Sequence, residues 1–287
     1  MRIAFIGYGE AGRAFRKSLA ARDATIRFAA YDIKDTPEMK AAMEADGVDP
    51  AASLADVVGG ADWIVSAVTA DQSFIAAEAA LPHLRQGQVF IDINSVSPQR
   101  KRDTAAAVEA REAVYLDMAV MSPVHPKGHA SPVLIAGPAA ERLAAELAPL
   151  GFSCDIAGDA PGEATAVKMV RSLFVKGLEA ITVEALLAAS APGCFDRVLE
   201  SLSTSFPGLG WPEHATYYFE RTLHHGTRRA AEMEESAATL DELGLEGGLA
   251  ARIAAVQRKM GALEATDLPE GPLDEAVASI VAARLAQ

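Results

Sequence analysis

The chain begins with a short apolar run that leads directly into Gly-x-Gly-x-x-Gly, with the glycines Gly7, Gly9 and Gly12. An acidic residue, Asp32, follows twenty residues after Gly12, at the end of a second apolar run. In a strand–turn–helix, the first glycine permits a tight turn, the second lets the backbone approach a pyrophosphate, and the third lets the helix pack closely. The pattern therefore predicts a βαβ unit that binds a dinucleotide, with Asp32 accepting hydrogen bonds from ribose hydroxyls.

The predicted cofactor contacts extend from this turn to the ends of two later strand patterns, 63–68 and 89–93. Ligands of open α/β sheets bind at the carboxyl ends of the strands. The predicted cofactor-binding residues are Gly7, Tyr8, Gly9, Glu10, Ala11, Gly12, Asp32, Ala67, Val68, Thr69, Asn94 and Ser95. Asp32 would repel a 2′-phosphate and so favours NAD. The nearby cation Lys34 leaves NADP as the alternative cofactor.

The first part of the chain alternates strand and helix patterns. Continuous apolar strands separated by helices predict a parallel, doubly wound Rossmann-type sheet that is covered on both faces, in a domain of residues 1–160. The predicted strands are 2–6, 25–31, 63–68, 89–93, 114–119, 133–136 and 152–156, and clear helical patterns cover 72–84 and 98–112.

The pattern changes after residue 160. One long, largely apolar helix pattern runs from there to about residue 189, and its length of about 40 Å predicts an interdomain helix. Helical periodicity broken by glycine and proline continues to the end. We therefore predict an all-helical substrate and dimerisation domain at 161–287, and a homodimer, because a long apolar helix is normally buried.

The amino-acid composition of the chain limits the classes of partner that it is expected to bind. The chain carries 39 acidic and 26 basic residues, a formal charge of −13, which argues against binding nucleic acid or an anionic membrane. The apolar start is too short for a signal peptide, and no apolar run is long enough to span a membrane, so we expect a cytoplasmic protein. Cys154 and Cys194 match no metal-ligand spacing, and we predict no metal.

Lys168 is the candidate acid–base group. It lies within an apolar stretch of the long helix, where an ammonium is costly unless it is paired or its pKa falls. A lysine with a lowered pKa can act as a general acid or base near neutral pH. Ser172 lies one turn further on the same face, whereas Lys176 is rotated by about 80° from Lys168 and is expected to face elsewhere. The alternative for Lys168 is a surface lysine whose stem covers apolar groups.

Three further segments resemble the β-hydroxyacid dehydrogenase superfamily, which includes 3-hydroxyisobutyrate and 6-phosphogluconate dehydrogenases. Its Asp-x-Ser-Thr-x-x-Pro motif corresponds to residues 92–98, its Asp-Ala-Pro-Val-Ser-Gly-Gly motif to 117–123, and its Gly-x-Gly-x-x-x-Lys-x-x-Asn-Asn motif to 162–172. The resemblance places Lys168 on the catalytic lysine. It implies the Rossmann fold, hydride chemistry and a dimer.

Several positions depart from that family. The family serine falls on Met121, with Ser122 adjacent, and Ser172 replaces an asparagine that helps to hold the substrate. The C-terminal segment 224–233 resembles a less characterised phosphogluconate dehydrogenase-like branch with its own C-terminal domain. Because of these departures, the resemblance does not imply that the chain acts on the usual substrate of the family, a short 3-hydroxy acid.

The remaining candidate substrate contacts are His125, Arg228 and Arg229, beside Met121. Two adjacent arginines cannot face the same way on a helix, so one of them can enter the active site and bind a carboxylate. The alternative is a solvated helix in which these arginines pair with Glu232 at i,i+3 and i,i+4. His125 is either a substrate contact or an ordinary loop histidine.

Together these residues predict an NAD(P)-dependent oxidoreductase that moves a hydride to or from a hydroxyl or carbonyl carbon of a small hydroxy acid. Lys168, Ser172 and Ser122 are its predicted catalytic residues. The alternatives are an imine reductase of the same fold, and a non-catalytic cofactor-binding sensor. Lys168 argues for alcohol chemistry, because imine reductases usually replace it and a sensor does not need it.

Overall fold

A computed structural model describes residues 1–263 and 267–286. The chain divides into two compact units, Met1–Met169, here called the sheet unit, and Val170–Gln287, the helical unit. The division falls inside a helix, after Met169, whereas the sequence analysis placed the domain boundary after residue 160. The first turns of that helix are bonded to the sheet unit, as described below.

The described part of the sheet unit contains one eight-stranded sheet in the order β3-β2-β1-β4-β5-β6-β7-β8. Neighbouring strands are parallel except β6 and β7, which are antiparallel. This confirms the predicted Rossmann-type fold class. The strands are Arg2–Ile6 (β1), Arg27–Tyr31 (β2), Asp49–Pro50 (β3), Trp63–Ser66 (β4), Val89–Asp92 (β5), Val114–Val120 (β6), Pro132–Ala136 (β7) and Ser153–Gly158 (β8).

Two features of the sheet differ from the prediction. The strand pattern predicts a parallel sheet throughout, but residues 121–131 join β6 to β7 without a crossover α-helix, so the chain returns in the opposite direction. The edge strand β3 was not predicted, because two residues carry no alternating pattern.

Helices cover both faces of the sheet. Alternate β1 residues supply the two cores: Ile3 and Phe5 pack on one face with Phe15, and Ala4 and Ile6 pack on the other. The α-helices are Glu10–Arg22 (α1), Pro37–Ala45 (α2), Leu54–Gly59 (α3), Ser73–Ala80 (α4), Pro98–Glu109 (α5) and Ala140–Leu147 (α6). The helix predicted at 72–84 is α4 with short 3-10 helices at Ala70–Gln72 and Leu81–His83.

A buried ion cluster, here called the Lys101 cluster, joins α5 to the end of β5 and the middle of β6. The Lys101 side chain is completely buried. Its Nζ lies 2.7 Å from the Asp92 carbonyl oxygen, 3.0 Å from Asp92 Oδ1 and 3.3 Å from Asp117 Oδ1. The Tyr115 hydroxyl donates to Asp92 Oδ2 at 2.8 Å. Burial, reinforced by the Asp92 charge, raises the pKa of Tyr115, so this hydroxyl remains a donor.

The same cluster fixes the start of the long helix α7, Glu163–Ser190. Asp117 Oδ2 accepts the backbone N–H groups of Gly162 and Thr165, both at 3.1 Å. Burial raises the pKa of Asp117, while the Lys101 ammonium opposes this shift. These bonds explain why the first turns of α7 belong to the sheet unit.

The helical unit contains the rest of α7 and, among the described residues, four further helices. Its core includes Val183, Phe219, Met260 and Val277. The helices are Phe195–Ser205 (α8), Glu213–Glu242 (α9), Gly248–Gly261 (α10) and Leu273–Leu285 (α11). This confirms the all-helical prediction.

α9 and α10 cross at a glycine contact. A Cβ atom on Gly226 would lie 2.2 Å from the Gln257 carbonyl oxygen, and one on Gly261 would lie 2.4 Å from the Thr227 nitrogen. Only glycine permits this approach, which brings α10 against the middle of α9. Within the described chain, no helix is long and apolar enough to cross a membrane.

We expect Lys101→Met to lower the free energy of unfolding by about 3–5 kcal/mol, because Asp92 and Asp117 would remain buried without their cation. Urea unfolding followed by circular dichroism measures this. The control Lys17→Met changes an exposed lysine of α1 and should stay within about 0.5 kcal/mol of the wild type. Equal effects of the two substitutions would contradict the role of the cluster.

Candidate active site

The three glycines of the first turn have three different environments. Gly7 has φ of +87°, and a Cβ there would lie 2.5 Å from the Ala67 carbonyl oxygen, so the turn lies directly against the end of β4. A Cβ on Gly12 would lie 2.9 Å from the Gly7 carbonyl oxygen. A Cβ on Gly9 would meet no atom of the described residues within 4 Å. Gly9 is thus the position where a ligand can approach the backbone.

Helix α1 begins at this open position. Gly9 is its N-cap residue, and no side-chain cap is formed there by the residues that the structure describes. The first N–H groups of a helix have no intrahelical acceptor and carry partial positive charge, so they favour an anion. Ala67 and Val68 are half-buried and Thr69 is exposed at the end of the neighbouring β4. The residues present therefore fit the pyrophosphate of a dinucleotide.

Asp32 is oriented by two backbone donors. Its Oδ2 accepts the Tyr8 N–H at 2.8 Å and its Oδ1 accepts the Lys34 N–H at 2.9 Å. The carboxylate is partly exposed beside the glycine turn. The Tyr8 ring, by contrast, is fully buried, and its hydroxyl donates to Asp46 at 3.1 Å. Burial, with the Asp46 charge, raises the pKa of Tyr8. Tyr8 therefore presents backbone rather than ring to this edge.

Asn94 ties the ends of β4 and β5 together. Its Oδ1 accepts the Val68 N–H at 2.7 Å, and its Nδ2 donates to Ser66 Oγ at 2.9 Å. Its own N–H donates to Asp92 Oδ1 at 2.9 Å. Asn94 is buried, whereas Ser95 is partly exposed at the same edge. Both residues are predicted cofactor contacts, and no local pattern of the sequence indicates this bracing role for Asn94.

Lys168 lies on the second turn of α7 and is partly exposed. One turn before it, the Thr165 hydroxyl donates to the Val96 carbonyl oxygen at 2.9 Å. Val96 directly follows Ser95, so α7 is attached to the segment that ends β5. The structure therefore places the helix of Lys168 against the predicted cofactor edge of the sheet unit.

The loop 121–131 carries the predicted residues Met121, Ser122 and His125. Met121 packs against a small cluster that includes Ala164 of α7. The Ser122 hydroxyl contacts the Pro123 carbonyl oxygen at 3.4 Å, and His125 is exposed. Met121 thus lies where this loop packs against α7, and Ser122 follows it in the chain. His125 lies on the side of the loop that faces solvent.

His129 anchors this loop to α1 and was not found by sequence reasoning. Its N–H donates to Ser18 Oγ at 2.9 Å, its Nδ1 lies 2.7 Å from the same oxygen, and its Nε2 lies 2.9 Å from the Leu150 carbonyl oxygen. Burial lowers the pKa of His129, against the Leu150 hydrogen bond. Its partners are distant in sequence, so no local pattern could have indicated them.

In the helical unit, Ser172 and Lys176 are both buried on α7. Lys176 Nζ lies 2.6 Å from Glu232 Oε2 of α9 and 3.4 Å from Ser172 Oγ. Burial lowers the pKa of Lys176, while Glu232 opposes this shift. Lys176, which was expected to face away from Lys168, is therefore the hydrogen-bond partner of Ser172.

Arg228 and Arg229 diverge, as predicted for adjacent helical residues. Arg229 is buried and forms an ion pair with Glu179 of α7. The Arg228 side chain is half exposed, with its Nε 4.0 Å from Glu232 Oε1. Of the two predicted substrate contacts, Arg228 is thus the one that solvent reaches. No group of three or more histidine, cysteine or acidic side chains among the described residues could hold a metal.

Two family models match the chain. The NAD binding domain of 6-phosphogluconate dehydrogenase matches residues 2–149, and a domain of unknown function, DUF1932, matches residues 189–260. The first match covers more than half of the chain. The protein therefore belongs to the family that has the NAD-binding domain of 6-phosphogluconate dehydrogenase, and it carries a DUF1932 domain behind it.

Solved structures share this architecture. A conserved hypothetical protein of Sinorhizobium meliloti is 34% identical, with 97% of this chain and 96% of that one covered and a TM-score of 0.74. A 3-hydroxyisobutyrate dehydrogenase of Mycobacterium tuberculosis is 18% identical, with coverage of 97% and 98% and a TM-score of 0.74. An imine reductase of Bacillus cereus is 19% identical, with coverage of 90% and 92% and a TM-score of 0.58. The last two similarities concern the fold alone.

We expect Gly9→Asp to weaken NADH binding by about tenfold or more without lowering the thermal midpoint. An aspartate at this N-cap satisfies the first N–H groups of α1, and its charge repels a pyrophosphate. Titration calorimetry and scanning calorimetry measure the two effects.

The matched control is Gly208→Asp, which adds the same charge at an exposed glycine of the helical unit where a Cβ is also free. If the control weakens NADH binding as much as Gly9→Asp, the effect is one of net charge and the assignment of this turn is wrong.

Proposed function

We propose that the protein is an NAD(P)-dependent dehydrogenase or reductase that acts on a hydroxyl or carbonyl carbon of a small hydroxy acid, with Lys168 as general acid–base catalyst. One observation carries the proposal. The helix of Lys168 is bonded through Thr165 to Val96, directly after the predicted cofactor residues Asn94 and Ser95. Lys168 is therefore carried by a helix that is attached at the same edge of the sheet as the start of α1.

A dinucleotide held at the glycine turn by Gly7, Gly9 and Asp32 would supply the hydride chemistry. Lys168 Nζ takes the hydroxyl proton during oxidation, or returns it to the carbonyl oxygen during reduction, so the oxygen never carries a full charge. The hydroxyls of Ser122 and Ser172 orient the reacting oxygen. Arg228 contacts the acid group, with Met121 and His125 shaping the loop beside it.

Lys168→Ala should lower the turnover number about 100- to 10,000-fold, the usual contribution of general acid–base catalysis, and leave the NADH dissociation constant within about twofold. The measurement is a screen of NAD and NADP against hydroxy acids, their carbonyl counterparts and cyclic imines. Lys17→Ala, an exposed lysine of α1, is the control and should retain wild-type turnover.

The same screen separates the alternatives. Reduction of imines that survives Lys168→Ala would favour an imine reductase, a class that shares this fold. Tight NADH binding with no turnover of any compound would favour a cofactor-binding sensor. A loss of less than about tenfold in the variant would contradict the role of Lys168.

We propose NAD as the preferred cofactor. The Asp32 carboxylate is held beside the glycine turn by the N–H groups of Tyr8 and Lys34, where it would repel a 2′-phosphate. NADH should therefore bind more tightly than NADPH, and Asp32→Ser should reduce the difference. Lys34→Ala is the companion variant, because that side chain is the nearby cation. Tighter NADPH binding by the wild type would contradict the preference.

We also propose a homodimer formed through α7. Four large apolar side chains of this helix are exposed: Val167, Val170, Phe174 and Ile181. At 100° per residue they lie within about 60° around the helix axis, so they form one stripe. Phe174 is 72% and Ile181 66% exposed, which is unusual for large apolar side chains clustered on one face.

Light scattering at micromolar concentration should give a dimer for the wild type and a monomer for the double variant Phe174→Glu and Ile181→Glu, because two carboxylates would be buried at the interface. Ile33→Glu changes an equally exposed isoleucine of the sheet unit and should remain dimeric. A monomeric wild type would contradict the proposal.

A further inference from the structure

Lys176 is a buried ammonium that is paired with a carboxylate of the neighbouring helix. Its side chain is 6% exposed, and its Nζ lies 2.6 Å from Oε2 of Glu232 on α9. Burial lowers the pKa of Lys176, and the Glu232 charge opposes this shift. Loss of the lysine proton would leave a mostly buried carboxylate without this cation, so the ion pair favours the ammonium form.

The second contact of this ammonium is the hydroxyl of Ser172, one turn earlier on α7. Lys176 Nζ donates to Ser172 Oγ at 3.4 Å, and both residues are buried. An ammonium has three N–H donors and no acceptor, so the direction of this hydrogen bond is fixed. The Ser172 oxygen accepts, and the proton of the hydroxyl therefore points away from Lys176.

Ser172 is bonded differently from several other helical hydroxyls of this chain. Thr104, Ser203 and Thr239 each donate to the carbonyl oxygen four residues earlier, at 2.9, 2.8 and 2.8 Å. That bond uses the hydroxyl proton within the helix itself. Ser172 instead contacts the residue four positions later, and it does so through its oxygen. A hydroxyl held in this way can offer its proton to a ligand.

A serine that is held as a donor selects the polarity of the group that it binds. A carbonyl, alkoxide or alcohol oxygen can accept its proton, whereas an ammonium or the N–H of a protonated imine brings a second donor against it. The Lys176 charge behind the hydroxyl acts in the same direction, because it attracts partial negative charge and repels a cation. A site with fixed hydrogen-bond polarity discriminates strongly against a ligand that leaves its groups unpaired.

We propose that Lys176 is a positioning residue that fixes Ser172 as a hydrogen-bond donor and so makes the site selective for a reacting oxygen over a protonated nitrogen. This selectivity rests on the proposed function, in which Ser172 orients the reacting oxygen. Lys176 and Glu232 thus act in specificity, and the proton transfer stays with Lys168. The pair also supplies a physical reason for oxygen chemistry in a fold that imine reductases share.

Two unreactive compounds of the same shape measure this selectivity. 2-Hydroxyisobutyrate carries a hydroxyl and 2-aminoisobutyrate an ammonium on the same carbon, beside the same carboxylate. Neither has a hydrogen on that carbon, so neither can donate a hydride. Both are titrated into the full chain with NAD present and at constant ionic strength. Titration calorimetry gives the affinities, and scanning calorimetry gives the thermal midpoint.

The variants separate the charge of Lys176 from the hydroxyl of Ser172. Lys176→Arg keeps a cation that can only donate, whereas Lys176→Gln removes the charge and offers an acceptor as well. Ser172→Ala keeps the Lys176 charge without the hydroxyl. A double variant combines Lys176→Gln with Ser172→Ala. Lys259→Gln, which changes an exposed lysine of α10, is the control.

The wild type should bind 2-hydroxyisobutyrate about tenfold or more tightly than 2-aminoisobutyrate. This ratio should persist in Lys176→Arg and Lys259→Gln, and it should fall to about twofold or less in Lys176→Gln and in Ser172→Ala. The double variant should lose no more than either single variant, because the two residues act as one unit.

Three outcomes would overturn the proposal. Equal weakening of both compounds by Lys176→Gln, with a lower thermal midpoint, would indicate a purely structural lysine. A ratio that survives Ser172→Ala would show that the charge acts without the hydroxyl. A wild type that prefers 2-aminoisobutyrate, or that binds neither compound, would remove the donor role of Ser172.

The binding experiment is distinguishable from the test of the proposed function, because it involves no turnover. If Lys168→Ala keeps its turnover while the binding ratio depends on Lys176, the catalytic lysine is wrongly assigned and the selectivity stands. If Lys168→Ala abolishes turnover while Lys176→Gln leaves the ratio unchanged, the catalytic assignment stands and the role of Lys176 is wrong.

Discussion

The edge of the sheet unit that carries the candidate active site depends on a lysine ammonium with no exposure to water. Replacing a buried ion cluster by well-packed apolar residues is often neutral or stabilising, so stability alone does not explain the Lys101 cluster. Its geometry does. Asp92 forms an ion pair with Lys101 and accepts hydrogen bonds from the Tyr115 hydroxyl and the Asn94 N–H. One oxygen of Asp117 pairs with Lys101, and the other accepts backbone N–H groups at the start of α7. One cation thus fixes both the strand end beside the glycine turn and the helix of Lys168.

The parts of the fold that were predicted correctly are those determined by local spacing. The glycine turn, the alternation of strands and helices, and the length of α7 depend on residues close together in the chain. The direction of β7 was wrong, because it depends on whether a connection crosses the sheet, and residues 121–131 carry no signal for that. The sequence likewise contains Asp92, Lys101 and Asp117 without any indication that they meet.

The arginines of α9 show the same limit within the site. Helical geometry establishes that Arg228 and Arg229 point in different directions, but it does not say which of them is buried. The answer comes from Glu179, fifty residues earlier, which binds Arg229 and leaves Arg228 half exposed. Lys176 was expected to face away from Lys168 and Ser172, yet its Nζ contacts the Ser172 hydroxyl. Such partners become visible only when α7 and α9 are seen together.

The attachment of α7 at its start also links the length of this helix to the direction of its side chains. Thr165 is bonded to Val96 and Asp117, so the rotational phase of the helix is set at its first turn. A single residue inserted between Thr165 and Ser172 would turn Ser172 and Lys176 by about 100° and advance them by about 1.5 Å relative to that attachment. A change in the length of α7 therefore alters the direction of every later residue of the helix relative to its attachment, whereas a substitution within the helix does not.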